Sequence, residues 1–223
     1  MAPSAAAVPP AVPAQLTTTL DERTGDRLTQ LARQVGVTPN TVVQGVWATV
    51  LARHTGRRDV VFGAVVSGRP PELSDTAQTI GMLVNTVPVR VRLRPDEPFA
   101  RTLTALRESW ARTLDHQHLG LDRITAALGG QPLFDTLLVF ENFPGHPGAG
   151  DAVDADGPRV VRLTGADNMH HPLTLWVTPG TRPHLRLAYR TELFDRDAAQ
   201  RLLTETATLL SAVTPGQPAR IDT

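Results

Sequence analysis

Apolar residues recur every three or four positions in some stretches of this chain and alternate with polar ones in others, and the switches between the two periods mark its elements. Proline and alanine dominate residues 1–15, which show neither period; that segment is expected to be a flexible linker. The folded part is expected over 16–213, followed by a tail at 214–223 that contains Pro215, Gly216 and Pro218. Leu28, Leu31, Ala32 and Val35 have helical spacing, and Gly36 supplies a stop, giving a helix over 21–35. Thr38-Pro39 reads as an N-cap with proline in the first turn. It opens a helix over 39–54 with Val42, Val43, Val46, Trp47 and Val50 on one stripe. Further helices are predicted over 98–114 (Phe99, Leu103, Leu106, Trp110), 121–128, and 195–212 behind an Asp195 cap.

Strands are expected between them. The apolar run 60–66 reads as buried and leads into a Ser67-Gly68-Arg69-Pro70 turn. In 83–93, Val87, Val89 and Val91 alternate with Arg90 and Arg92, so a half-buried strand should carry an arginine-lined outer face. Residues 133–140 read as a central strand, with further strands at 160–163, 173–177 and 185–189. Residues 145–158, rich in Gly, Asp and Ala, have no periodicity and are expected to form a mobile surface loop. Interleaved helices and strands point to a single α/β domain, a mixed sheet covered by helices.

Composition removes several chemistries. The 223 residues carry 22 basic and 22 acidic side chains, so bulk charge favours neither nucleic acid nor an anionic membrane. Every basic residue is arginine, which excludes Schiff-base and P-loop lysines. With no cysteine there is no thiol nucleophile or thiolate metal site, and a reducing, cytoplasmic setting is compatible with that. No apolar run approaches the roughly 18 residues that span a bilayer. Aromatic residues make up only 4%, too few for a base-stacking surface.

The histidines offer little. His170 and His171 are adjacent, and neighbours on a strand face opposite ways, so they cannot jointly hold a metal or relay a proton. His116-Gln117-His118 falls near the end of the 98–114 helix, where an imidazolium favours the macrodipole; an i, i+2 pair does not chelate. Ser67 lacks the glycine of a nucleophile elbow. No catalytic residue and no metal ligand is assigned within the chain.

Several stretches together resemble the C-terminal half of a nonribosomal peptide synthetase condensation domain. Ile80-Gly81-Met82-Leu83-Val84-Asn85-Thr86-Val87-Pro88-Val89-Arg90 is similar to that family's IGxFVNTLPxR pattern, with Leu83 where an aromatic is usual. Thr38 to Trp47, Val61-Phe62-Gly63 with Ser67 to Pro70, and His116-Gln117-His118-Leu119-Gly120-Leu121 match further family motifs in order. So do Pro132-Leu133-Phe134-Asp135-Thr136 and Phe140-Glu141-Asn142-Phe143-Pro144. The family's catalytic HHxxxDG is missing, and the His170-His171 stretch, without Asp-Gly at the right offset, is no substitute.

The resemblance implies one lobe of a two-lobe, chloramphenicol-acetyltransferase-like fold, bounding a tunnel in which carrier-borne thioesters are joined into an amide in natural product biosynthesis. It places Ser67, Gly68, Arg69, Gly81, Asn85 and Thr86 on the tunnel or substrate side. His116, Gln117, Asp135, Glu141 and Asn142 belong to its structural motifs. Asn85 would bind a pantetheine amide or hold the tunnel strand; Arg69 would position phosphopantetheine or lock its turn. The chain itself would bind no cofactor, its substrates arriving on the phosphopantetheine of carrier proteins. Expected partners are an N-terminal condensation lobe, peptidyl or acyl carrier proteins and adjacent synthetase domains, but neither nucleic acid nor membrane. The alternatives are a non-catalytic module that docks a carrier protein or partner lobe, and a fragment of an epimerisation or cyclisation relative.

Overall fold

The computed structural model describes residues 13–67, 84–141 and 171–213. In chain order these form β1 (Ala14–Thr19), α1 (Glu22–Val35), α2 (Pro39–Thr55), β2 (Asp59–Val66), β3 (Asn85–Arg92), α3 (Phe99–Thr113), α4 (Leu121–Ala127), β4 (Thr136–Phe140), β5 (Leu173–Thr178), β6 (His184–Tyr189) and α5 (Arg196–Ala212), with a 3-10 turn at Leu114–His116. The helix ends follow the sequence signals. Asp21 accepts from the Thr24 backbone N–H at 2.8 Å, Thr38 from Thr41 at 3.2 Å and Asp195 from Ala198 at 2.6 Å, each satisfying a first-turn donor. Gly36 and Gly56 end α1 and α2 in the left-handed region, at φ 71° and 66°.

The strands form one sheet in the order β1-β6-β5-β4-β2-β3. β4 runs parallel to both neighbours, β2 and β5, and the remaining pairs are antiparallel. The α/β reading with a mixed sheet therefore holds. Residues 145–158 and the strand expected at 160–163 lie outside the described residues. β1 is an element the pattern did not predict, and it begins at Ala14, inside the stretch expected to be linker. Its only buried side chain is Leu16, too little for alternation to register; pairing with β6 supplies the rest. β4 is shorter than predicted, because Leu133 to Asp135 approach the sheet without joining it, the Phe134 ring lying over Gly63 of β2.

One face of the sheet carries the core. Phe62, Leu138, Leu175 and Leu187 point from successive strands into a helical layer. On the other face the Arg186 guanidinium stacks 4.0 Å from the Trp176 ring centroid, a cation–π contact.

α2 departs from expectation. Instead of one apolar stripe, it buries every residue from Thr41 to Val50. It touches α1, α3, α5 and β2, so no side is left for water. Two of its buried polar side chains are answered locally, Thr49 donating to the Gly45 carbonyl at 2.9 Å and Gln44 meeting Trp110 of α3, whereas the buried Trp47 Nε1–H has no hydrogen-bond partner among the described residues. Gly45 marks the closest approach of the two helices. A Cβ placed there would lie 2.8 Å from both Leu103 Cδ2 and Phe99 Cζ, well inside van der Waals contact.

At the far edge, Asp59 of β2 holds β3 electrostatically. Arg90 grips its carboxylate in a bidentate pair at 2.8 and 2.7 Å, and Arg92 adds a third hydrogen bond at 3.3 Å. The Arg90 hydrogen bonds hold the Asp59 carboxyl down from 3.8 to about 2.

Two outcomes follow from this packing. Gly45→Val gains a little helix propensity but overfills the α2–α3 contact, so a net loss of about 2 kcal/mol is expected in urea unfolding; unchanged stability would contradict the close crossing. Because the folded-state carboxyl of Asp59 is depressed, its contribution is complete above 3.8 and fades as pH falls toward about 2. Asp59→Asn should therefore flatten part of the acid dependence of stability in that window, and identical acid profiles would contradict the pairing.

Candidate functional site

Ser67, Asn85, Thr86 and Glu141, four of the positions singled out in the sequence, lie at one end of the sheet. Asn85 opens β3 opposite Val66, Ser67 follows β2, and Glu141 follows β4, which runs parallel to β2. These three lie abreast, with Thr86 beside Asn85. Ser67 is exposed, whereas Asn85, Thr86 and Glu141 are half-buried. Glu141 accepts from the Thr178 hydroxyl at 2.8 Å and lies 3.9 Å from Arg186, which ties the end of β4 to β5 and β6.

Asn85 also brings His116 and Gln117 into this group. Its Nδ2 donates to the Gln117 carbonyl at 2.7 Å and to the Leu119 carbonyl at 2.8 Å. Its Oδ1 accepts the Thr86 backbone N–H at 2.9 Å. Both amide hydrogens are thus engaged by the segment that follows α3. That segment is where the sequence pattern and the structure differ slightly: α3 stops at Thr113, and His116 closes a 3-10 turn rather than the last turn of the helix.

The anchored segment, α3 and β3 enclose one end of a groove. A cavity of about 250 Å³ opens there, walled by Pro88 and Val89 of β3, Trp110 of α3, Ile124 of α4, and Leu119 just ahead of α4. Trp47 is fully buried, as its stripe implied, but Trp110 is only half-buried because it walls this cavity. The Trp110 Nε1–H donates to Gln44 Oε1 at 2.6 Å, and Gln44 in turn donates to Asn40 at 3.3 Å. The rim adds hydroxyls from Ser109 and Thr113 and the side chains of His116 and Gln117. Past Leu106 and Ser109, which line both parts, the groove widens to about 810 Å³ between β3 and α3. There it is lined by Arg90, Arg92, Arg94, Arg101 and Arg112, against Glu97 and Glu108.

Sequence reading anticipated the arginine face of β3 but missed its partner surface on α3. Arg101 and Arg112 are eleven residues apart, and their shared face becomes visible only once three helical turns are counted. Asp135 and His171 belong elsewhere. Asp135 is exposed and precedes β4 at the opposite end of the sheet, where the His171 ring sits 5.3 Å from that of Phe134. Gly68, Arg69, Gly81, Asn142 and His170 lie outside the described residues.

The family model described as Condensation domain matches residues 4–222. The chain belongs to the condensation domain family. Vanchrobactin synthetase VabF of Vibrio anguillarum is 40% identical to it over 171 residues, 77% of this chain and 6% of that protein. Tyrocidine synthase 2 of Brevibacillus parabrevis is 30% identical over 197 residues, 85% of this chain and 5% of that protein. This condensation-domain chain thus spans a small fraction of the curated relatives it matches. Among solved structures, it superposes on the first condensation domain of the calcium-dependent antibiotic synthetase with a TM-score of 0.78 at 22% identity, covering 95% of this chain and 46% of that one. The X-domain from teicoplanin biosynthesis, solved in complex with OxyB, gives a TM-score of 0.71 at 21% identity, over 90% and 46% of the two chains. The chloramphenicol-acetyltransferase-like fold is therefore that of this chain.

The Asn85 geometry generates a test. Asn85→Ala leaves the Gln117 and Leu119 carbonyls without a donor and should cost about 2 kcal/mol in urea unfolding. Asn85→Asp, which sets a carboxylate against the same two carbonyls, should cost at least as much at neutral pH. Stabilities within a few tenths of wild type for both variants would show that the anchor carries no load.

Proposed function

We propose that this chain is the C-terminal, acceptor-side lobe of a nonribosomal peptide synthetase condensation domain, and that it supplies one wall of the tunnel in which an amide bond forms. The observation that carries this reading is one of coverage. Nearly all of the chain aligns with less than half of a condensation domain, its Asn-Thr and His-Gln motifs keep the family order, and HHxxxDG occurs nowhere in its sequence.

In the proposed reaction, the amine of the acceptor thioester attacks the carbonyl carbon of the donor thioester. A C–N bond forms, the C–S bond breaks, and the donor's phosphopantetheine thiol leaves with the proton that the amine gives up. The histidine that assists this step belongs to the N-terminal lobe. This chain acts by position, since holding two tethered reactants in register removes much of the entropic barrier. In this reading Asn85 holds the segment 117–119 as a fixed wall, and Thr86 continues that strand along the tunnel. Ser67, Gly68, Arg69 and Gly81 belong in this reading to the tunnel or substrate side, Arg69 either positioning phosphopantetheine or locking its turn. The partners are then the N-terminal lobe, carrier proteins delivering both thioesters and the neighbouring synthetase domains, in the cytoplasm. No helix among the described residues is long and apolar enough to cross a membrane.

The likeness to an X-domain solved with OxyB supports a second reading, a lobe that docks a partner protein without chemistry. A condensation assay with two loaded carrier proteins separates the two. Under the first reading the chain alone gives no product, and adding a matching N-terminal lobe restores turnover; the histidine on that lobe is worth about 10²–10⁴-fold. No turnover with any N-terminal lobe, despite a stable complex, would favour the docking module. Product from the isolated chain, abolished by His170→Ala or His171→Ala, would overturn both readings.

A further inference from the structure

Between β3 and α3 lie two chemically distinct cavities that share Leu106 and Ser109 in their walls, and nothing in the condensation reading uses that combination. The closed half is mostly apolar, lined by Trp110 and Pro88 among others, and holds about 250 Å³. A cavity of about 150 Å³ is enough to admit benzene, so this one admits an aromatic ring with a short tail. The open half carries five arginines against two carboxylates, Glu97 and Glu108. Arg90 and Arg92 are already paired with Asp59 and Arg94 with Glu97, but the side chains of Arg101 and Arg112 have no ion-pair partner among the described residues. Ser109 lines both halves, and Arg112 stands on the same helix one turn beyond it.

We propose that this groove binds a compact amphipathic anion, an aryl-alkyl carboxylate, with its ring in the cavity beside Trp110 and its carboxylate carried past Ser109 to Arg112. Each half supplies a separate contribution. The cavity rewards removal of a flat apolar body from water. The guanidinium supplies a charge-assisted hydrogen bond that a neutral analogue cannot make equally well. The cavity adjoins the segment that Asn85 anchors, but the proposal is argued from the lining of the groove and does not depend on the chain's being a condensation lobe.

The test uses the full chain, 3-phenylpropionate as probe and 3-phenylpropanol as its neutral counterpart, followed in ¹H–¹⁵N spectra through the Trp110 indole resonance. Saturable shifts are expected with the acid at millimolar concentration or below. Arg112→Gln should weaken binding by about tenfold, and Ile124→Trp, which fills the cavity, should abolish it. Arg201→Gln on α5 should change nothing. If Ile124→Trp loses the dispersed spectrum of a folded chain, Thr113→Leu fills the cavity from the rim and should weaken binding in the same direction. Three results would overturn the proposal: no saturable shift, binding unaltered when the cavity is filled, or equal affinity for the alcohol and the acid. An acidic amphipathic peptide that saturates the same resonances while the carboxylate does not would also overturn it, making the groove a protein-docking surface.

Discussion

A helix with no wet face organises this chain. α2 is closed in by β2 on one side and by α1, α3 and α5 on the others, so each neighbour is placed by how closely it can approach α2. The approach of α3 is set by the absence of a side chain at Gly45, which lets Leu103 and Phe99 settle against the α2 backbone. Gln44, adjacent in sequence and fully buried, would be a liability in such a place without a partner. Trp110 provides one, and the same hydrogen bond fixes the plane of the indole that walls the cavity. Core packing and site geometry are thus the same arrangement seen from two sides.

The opposite wall depends on polar anchoring instead. Among the described residues β3 pairs with β2 alone, and two different attachments brace it. At one end Asp59 collects Arg90 and Arg92; at the other, Asn85 gathers the carbonyls of Gln117 and Leu119. The first is solvent-exposed, and salt should weaken it. The second joins neutral groups in a half-buried setting, where an unmade hydrogen bond costs more than a made one contributes. The wall next to the proposed tunnel is therefore held by the attachment less sensitive to ionic conditions.

Much of this was legible in the sequence where local chemistry decides the outcome. Thr38, Gly36 and Asp195 mark helix ends because capping is a matter of neighbouring residues, and the alternation of Val87, Val89 and Val91 declared both faces of β3. What stayed hidden required knowledge of neighbours. The all-round burial of α2 reads as a stripe until α1, α3 and α5 are placed about it, and β1, with a single buried leucine, becomes a strand only through β6. At the site, Asn85 could be singled out by its motif, but its two acceptors lie 32 and 34 residues away, beyond any periodicity. The amphipathic groove was invisible for a similar reason: its arginines come from two elements whose facing is a product of the fold.

Pro88 sits in the middle of β3, opposite Gly63. Proline brings no backbone donor, and among the described residues β3 has no strand neighbour on its outer side. A foreign strand approaching that edge would meet an interrupted ladder flanked by charged Arg90 and Arg92, so the sheet cannot readily be extended there. Chains that expose sheet margins during synthesis or handling risk templating one another into fibrils, and this margin is chemically blunted against that fate. The same blunting preserves the groove beside it as open space, free of the intermolecular β-pairing that would seal it.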